Sequence, residues 1–570
     1  MDAALRERIE RAVETHALIN AIKHEGEADL GAIMGPLMGE HPDFREYGDR
    51  IPEIAGPVVA AVNDLEHEAR RARLEELDPE ALAELEAEAE PETEHPLPEL
   101  PNADAYDQIR MRCAPNPNGP WHLGHARMPA VIGTYKDRYD GWFCIRFDDT
   151  DPETKRPDLD AYDAILEDVA YLGFEPDAVY RASDRLELYY DRARELIERG
   201  GAYTCSCDAE TFSALKNDGE ACPHREKDPE TVAAEFEAMI DGEYDPGEMV
   251  LRVRTDIEHK NPALRDWVAF RMIDTPHPRE TASEYRCWPM LDFQSGIDDH
   301  EIGITHIIRG IDLQDSAKRQ QFLYDYFDWA YPEVIHWGHV QVEGYGVPLS
   351  TSSIAALIAD GDLDGWDDPR APTLASLRRR GIRGDAIVEA MIQLGTSTSN
   401  VDLSMSTIYA NNRERIDADA DRYFYVREGE RMPISDTDPI ARPPIHPEYD
   451  RGTREIPVDD AVLVESDDLP AVGERVWLKG LGPVRRTDDG FVGTDDDIEA
   501  VRSGELSVIH WVPADASVSV TLRTPEGDVS GRAEPGLADV APDEVLQFER
   551  VGFARIDTTD PEIVAYFAHP

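Results

Sequence analysis

The stretch that most constrains this chain runs from Asp107-Gln-Ile-Arg-Met-Arg112 into Cys113-Ala114-Pro115-Asn116-Pro117-Asn118-Gly119-Pro120-Trp121-His122-Leu123-Gly124-His125. It reads as a β-strand over 107–112, a Pro/Asn/Gly turn, and a helix from about 122 to 139. A strand–loop–helix unit of this kind aims free backbone N–H groups and the positive end of a helix at one point, where a phosphate can sit. His122 and His125 fall on one face of the first turn, and Gly124 between them carries no side chain where a nucleotide would approach. Imidazoles so placed can donate to phosphate oxygens as charge builds on them. Taken alone, the pattern fits a proline-rich loop with a capping histidine equally well.

The rest of the chain narrows the choice. A second strand is expected over 142–147, ending in Arg146-Phe147-Asp148-Asp149-Thr150, and open α/β sheets bind ligands at such strand ends. Helices are expected up to Leu172 and over 184–199. Arg286-Cys-Trp-Pro-Met-Leu-Asp-Phe293 reads as strand-like, and Gly303-Ile-Thr-His-Ile-Ile-Arg309-Gly310 as a strand ending in arginine. A Ser/Thr-rich loop, Ser350-Thr351-Ser352-Ser353, enters a helix over 354–360, and helical periodicity continues to about 425. Beyond it come short β-branched segments, among them 460–465, 476–478, 506–512 and 518–522, whose alternation means β-barrels.

Upstream, residues 1–100 read as helical. Leu5, Ile9, Val13, Leu18 and Ile19 follow helical spacing, as do Ile54, Val59, Val62 and Leu65. An Ala/Leu/Glu run from Leu74 to Glu90 precedes a stiff linker, Pro91 to Pro101. No chemistry is visible there, and a solvated helical appendage is the expectation. Cys205, Cys207, Cys222 and His224 have the C-x-C…C-x-H spacing of a small tetrahedral zinc site, the alternative being free buried thiols.

The formal charge is −61, with eight lysines against 49 arginines. In dilute buffer such self-repulsion opposes compaction and pushes a polyanion away; at molar salt the Debye length shrinks to about 3 Å and the penalty fades. The composition is that of a cytosolic protein bathed in concentrated salt. A disordered acidic chain is excluded, because apolar residues are plentiful and periodic. No run of about eighteen apolar residues and no signal pattern is present, so no membrane partner and a cytoplasmic location are expected. The six cysteines do not form a disulfide framework.

Taken in order, these segments resemble the class I aminoacyl-tRNA synthetases. Pro115 to His125 is similar to their HIGH signature, and Pro115-Asn-Pro-Asn-Gly119 with Arg146-Phe-Asp-Asp-Thr150 points to the glutamyl/glutaminyl branch in its archaeal glutamyl form. Tyr171-Leu-Gly-Phe174, Gly303-Ile-Thr-His306, Gly365-Trp-Asp-Asp-Pro-Arg370, Leu377-Arg-Arg-Arg-Gly381, Val508-Ile-His-Trp-Val512 and Gln547-Phe-Glu-Arg550 continue the pattern. The likeness covers roughly residues 105–570.

The resemblance implies a multidomain α/β plus all-β chain. Its expected parts are a helical extension and linker (1–101) and a Rossmann-type catalytic domain in two halves (102–200 and 286–350). An acceptor-stem insertion (201–285) separates the halves; a helical connector (351–425) and anticodon-binding β-barrels (426–570) follow. It further implies ATP and Mg²⁺ as cofactors, structural Zn²⁺ in the insertion, L-glutamate as substrate, and tRNA(Glu), often with tRNA(Gln), as partner of a monomer.

By the same resemblance His122 and His125 serve the triphosphate, with Pro115 to His125 as the ATP-binding stretch. Arg112 and Asp148 hold the amino acid, with Asp149 or Thr150 as a cap. Arg309 would grip the γ-carboxylate bidentately, which argues against the runner-up, a glutaminyl enzyme; its bland alternative is pairing with a nearby acid. The further alternative, a non-catalytic tRNA-binding paralogue, has no need of His122, His125, Asp148 and Arg309 together. The arginines 378–380 are candidates to line the bend of an RNA.

Two departures stand out. Leu291 occupies a place where the family generally has an aromatic. The KMSKS-like loop, which includes the candidate catalytic residues Ser352 and Ser353, has lost both lysines to Ser350 and Ser353. Another cation, backbone N–H groups or Mg²⁺ would have to replace them.

Overall fold

A computed structural model describes the chain except residues 1–2, 24–27, 29, 41–43, 45–46, 48–49, 64, 66, 79–80, 82–95 and 496–497. Two compact units, 1–95 and 96–570, are taken separately. Most of the Ala/Leu/Glu run and the first half of the proline-rich linker lie outside the described residues.

The first unit is helical: Ala3–Lys23, Leu30–Glu40, Ile51–Asn63 and His67–Leu77. Ile9, Val13, Leu18, Val59 and Val62, all on the expected apolar stripes, are buried, together with Phe44 and Leu74. Leu5, Ile19 and Leu65 pack against that core at its edge.

The second unit opens with residues 97–101 strapped onto its core. Leu97 and Leu100 are buried, Tyr135 Oη donates to Pro98 O (2.9 Å), and Leu100 N donates to Tyr139 Oη (3.0 Å). This part of the expected linker is therefore no free spacer.

Three parallel strands follow in the order Arg110–Cys113, Trp142–Phe147, Ala178–Arg181, and a parallel pair, His306–Gly310 with Glu333–Trp337, lies on the other side. The two groups meet where Thr305 N donates to Arg110 O (2.9 Å) and Arg110 N to Thr305 Oγ1 (2.9 Å). Helices Arg127–Tyr139 and Leu159–Tyr171 make the right-handed crossovers that parallel strands need.

The expected helix start at 122 needs correction. Leu123–Ala126 is a 3₁₀ turn, and the α-helix begins at Arg127. Pro129 has no N–H to donate to the carbonyl of His125, so a regular α-helix cannot include that turn as an acceptor row. The strand expected over 286–293 is likewise short: Cys287–Pro289 pairs, and Leu291–Ile302 is a helix. Pro289 cannot continue a ladder, and a brief apolar run does not by itself distinguish strand from helix.

An antiparallel sheet of Ala202–Cys205, Val250–Val253, Val268–Met272 and Cys287–Pro289 forms the insertion, with helices Ala209–Asp218 and Pro229–Ile240. Helices Thr351–Asp360, Leu374–Arg379, Gly384–Gln393 and Met405–Ile416 come next.

Two seven-stranded sheets end the chain. The outermost strands of one are Val508–Ile509 and Val512–Pro513, separated only by His510 and Trp511. In the other they are Arg422–Tyr423 and Tyr425–Val426, separated only by Phe424. A sheet whose two edges are joined by one or two residues must curl round on itself, so each is barrel-like. Among the described residues no helix is long and apolar enough to cross a membrane.

The barrels are clasped by ions. Glu549 of one accepts from His510 Nε2 (3.2 Å) and pairs with Lys479 of the other; Arg454 bridges Glu534 (2.7 Å) and Glu549 (3.2 Å). Burial would raise the Glu549 carboxyl, but hydrogen bonds from His510 and Lys479 outweigh it and bring the value to about 2. Removing the carboxylate in Glu549→Ala leaves the half-buried Arg454 and Lys479 without their shared acceptor, an expected loss of about 2 kcal/mol in urea melts followed by barrel tryptophan fluorescence. The folded-state value lies below the ordinary 4.5, so this contribution is complete above pH 4.5. It fades as pH falls toward 2, and the gap between mutant and wild type should close over that window.

Candidate active site

A cavity of about 430 Å³ opens at the C-terminal ends of strands Arg110–Cys113, Trp142–Phe147 and His306–Gly310. This is where strand order reverses, the crevice in which doubly wound sheets bind ligands. Arg112, Asp148 and Arg309, drawn from three distant parts of the sequence, all line it, as does Asn116 of the Pro/Asn turn. Leu291 lines it too and is 43% exposed.

Its wall is a buried lattice of arginines and acids. Asp299 accepts from Arg112 Nε (2.9 Å) and Nη2 (3.1 Å) and from Arg146 Nη1 (2.7 Å), with Arg309 at 3.8 Å. Burial pushes the Asp299 carboxyl up, but Arg112 and Arg146 overcome this and hold it at about 2. Asp148 accepts from Arg146 Nε (2.7 Å) and Nη2 (3.2 Å) and from Gln294 Nε2 (3.1 Å). Asp298 accepts from Arg185 Nε (2.7 Å) and Tyr189 Oη (2.6 Å).

Arg112 thus faces the cavity with two nitrogens already committed to Asp299. Arg309 is different: its Nη1 donates to Gln320 Oε1 (3.2 Å), while its buried Nε has no partner. Burial and the neighbouring Arg112 push its pKa down, and the nearest carboxylate, Asp299, is 3.8 Å away and already held by two other arginines. Asp149 is fully buried and accepts from Ser183 N, Ser183 Oγ and Tyr162 Oη, each at 2.7 Å; it caps the turn at 182–184.

Arg146, Gln294, Asp298 and Asp299 were given no role from the sequence. Gln294 and Asp298, and likewise Ser295 and Asp299, are four residues apart, which puts each pair on one face of a helix. The sequence assigns no element to 294–302, so that spacing has no helix to refer to until the structure shows Leu291–Ile302.

The histidine turn lies beside the cavity, not in its lining. The two rings are 3.8 Å apart at their centroids, and His122 Nδ1 accepts from Gly124 N (3.2 Å). Burial lowers His122 to about 4; burial and His122 together lower His125 further, so both are neutral near pH 7 and each can donate one N–H. His125 Nδ1 is buried without a partner.

Trp121 N donates to Asp168 Oδ2 (3.1 Å), Leu123 N to Pro372 O (2.9 Å), and Leu374 N to Trp121 O (3.0 Å), which fix the turn from both sides. The Pro/Asn segment ties it to the cavity: Asp148 N donates to Pro115 O and Asn116 Nδ2 to Asp148 O, both at 2.9 Å.

The serine loop meets this turn. Gly119 has φ +152, and a Cβ there would lie 2.7 Å from Thr351 Cγ2; a Cβ on Gly124 would lie 2.9 Å from Leu349 Cδ2. At 119 the positive φ and the crowding by Thr351 and Trp366 call for glycine, whereas at 124 a Cβ would need the Leu349 side chain to give way. Ser352 and Ser353 stand in the first turn of helix Thr351–Asp360, and Ser350 Oγ is 3.1 Å from Ser352 Oγ.

The arginine run does not present a common face. Arg378 pairs with Glu167 (3.4 Å), and Arg379 with Asp367 (2.8 Å) and Asp557 (2.9 Å). Arg380 is buried, donating to the carbonyls of Phe567 and Ala568 and to the hydroxyls of Tyr345 and Tyr409. It braces a barrel strand and does not line an RNA surface.

In the insertion, the ligand atoms of Cys205, Cys207, Cys222 and His224 lie within 4.8 Å of one another. The Sγ atoms of Cys205 and Cys222 are 3.8 Å apart, the edge length of a tetrahedron with bonds of about 2.3 Å. His224 Nδ1 is 3.3 Å from Cys207 Sγ. The donor set and spacing fit zinc, and all six cysteines are free thiols.

Family models describe this architecture: the catalytic domain of class I tRNA synthetases (E and Q) matches residues 108–418, and two anticodon-binding domains of the same group match 420–502 and 508–557. The chain belongs to the class I tRNA synthetases of the E and Q group. A protein named glutamate–tRNA ligase from Natronomonas pharaonis is 70% identical, with all of both chains covered. Those of the same name from Haloarcula marismortui and Halobacterium salinarum are 68% and 64% identical, again over the whole of both chains.

Replacing Asp299 with alanine leaves Arg112 and Arg146 buried without their shared anion. The expected stability loss is about 3 kcal/mol, measured by urea unfolding in molar KCl, where surface pairs are screened and this one is not.

Proposed function

We propose that the protein activates L-glutamate with ATP and esterifies it to tRNA(Glu) in the cytoplasm. The observation that carries this is Arg309, a buried arginine that lines a cavity also lined by Asp148 and whose nearest carboxylate, Asp299, stands 3.8 Å away. A glutamate spanning that cavity would set its α-ammonium against Asp148 and its γ-carboxylate against Arg309. Relatives named glutamate–tRNA ligase, alike over their whole length, support the same reading.

In this reading the α-carboxylate attacks the α-phosphorus and pyrophosphate departs. His122 and His125, neutral and with their rings 3.8 Å apart, donate to phosphate oxygens, and the turn from Pro115 to His125 cradles the nucleotide. Ser352 and Ser353 offer hydroxyls from a helix start packed against that turn. Mg²⁺ bound with ATP would neutralise phosphate charge. Positioning and electrostatics carry the rate, since the side chains have little covalent work to do. Cys205, Cys207, Cys222 and His224 would hold a structural zinc ion that staples the insertion. The paired barrels are the surface for the anticodon arm.

The test is ATP–pyrophosphate exchange in multimolar KCl, with glutamate or glutamine, and with tRNA(Glu), tRNA(Gln) or none. Exchange with glutamate that requires tRNA is the expected outcome; preference for glutamine, or silence with intact tRNA binding, would overturn it. Elemental analysis should find one zinc per chain, lost in Cys207→Ser together with thermal stability of the insertion.

A further inference from the structure

We propose that Lys155 is the cation that meets the reacting end of glutamate, the α-carboxylate and the α-phosphate it attacks, in place of the lysines absent from the serine loop. The inference rests on the glutamate-activating reading above and assigns a further residue to it.

In a chain of charge −61 with eight lysines, an unneutralised ammonium group is conspicuous. Lys136, Lys227, Lys318 and Lys479 each pair with a carboxylate. Among the described residues Lys155, Lys216 and Lys260 make no ion pair, and of these three Lys155 alone lines the cavity of Arg112, Asp148 and Arg309. Of the acids lining the cavity, Asp151 is held by Arg271 at 3.2 Å, Asp292 by Arg319 at 2.6 Å and Asp148 by Arg146 at 2.7 Å.

Its backbone is fixed to the site. Asn116 Nδ2, which donates to Asp148 O (2.9 Å), also reaches Lys155 O (3.5 Å), and Asp158 N donates to Pro117 O (2.8 Å). The segment 151–158 therefore closes over the Pro/Asn turn, between the cavity and the start of the histidine turn. Lys155 stands at the Asp148 end, where the α-ammonium would sit, and Arg309 is left for the γ-carboxylate.

The step it would serve balances simply. A carboxylate oxygen forms a bond to the α-phosphorus, the bond from that phosphorus to the bridging oxygen breaks, and pyrophosphate leaves with the electron pair. Negative charge gathers on the non-bridging α-phosphate oxygens meanwhile, and an ammonium at that point lowers the barrier without accepting or giving a proton. The serine loop, with hydroxyls only, cannot supply a full charge.

Lys155→Met and Lys155→Arg test this in tRNA-dependent ATP–pyrophosphate exchange, with tRNA binding followed separately. Lys155 is solvent-exposed, so neither variant should disturb folding. The expected result is a fall in kcat of about a hundredfold in Lys155→Met, little change in tRNA affinity, and substantial recovery in Lys155→Arg. Unchanged kcat in Lys155→Met would overturn the assignment, as would a loss confined to tRNA affinity, which would give the cation to the RNA. If wild type itself shows no glutamate-dependent exchange, the underlying reading fails and not this one.

Discussion

The site depends on one carboxylate. Asp299 is buried where a lone charge would be costly, and it persists because Arg112 and Arg146 hold it directly while Arg309 stands further off. That sharing does two things at once. It joins the strand Arg110–Cys113, the strand Trp142–Phe147 and the helix Leu291–Ile302 by side chains as well as by packing. It also leaves Arg309 without a direct bond to Asp299, and in the proposed reading a substrate carboxylate takes the place beside it.

Arginine is the suitable currency for such a lattice, and the composition reflects it. A guanidinium fork can hold one carboxylate with two parallel bonds, as Arg112 does with Asp299 and Arg431 does with Asp515. In molar salt the exposed pair is screened to little, whereas the buried one is not reached by the ions. The bulk charge is thus a matter of solvent, and the few charges that organise function are those the solvent does not touch. The Glu549 clasp between the barrels obeys the same rule.

Sequence patterning carried the parallel strands, the crossover helices and the barrels because their periodicities are long or repeated. It also brought Arg112, Asp148 and Arg309 forward, since strand ends in an α/β sheet are where ligands gather. It missed where local chemistry competes with pattern. Pro129 converted the histidine turn from α to 3₁₀, and Pro289 cut short a run that looked like a strand. Asp299 was missed because residues 294–302 had no assigned element, and a polar spacing of four has meaning only on a helix. Arg380 was misplaced for another reason: nothing in three consecutive arginines tells which one turns inward to a barrel carbonyl.

The barrel built on Phe424 has a consequence for the order in which the molecule can be made. Its edges are laid down at Arg422–Val426, yet the strands between them come from 518–569, and the strand Ile563–His569 sits between two partners in the middle of the sheet. During synthesis the residues flanking Phe424 must wait, exposed, while well over a hundred more are added. Only then can His569 reach Asn412 and the Phe567 and Ala568 carbonyls reach Arg380. The catalytic half is thus braced by strands that the ribosome delivers after it, and a nascent chain cut short in that strand would leave buried Arg380 without its two carbonyl acceptors.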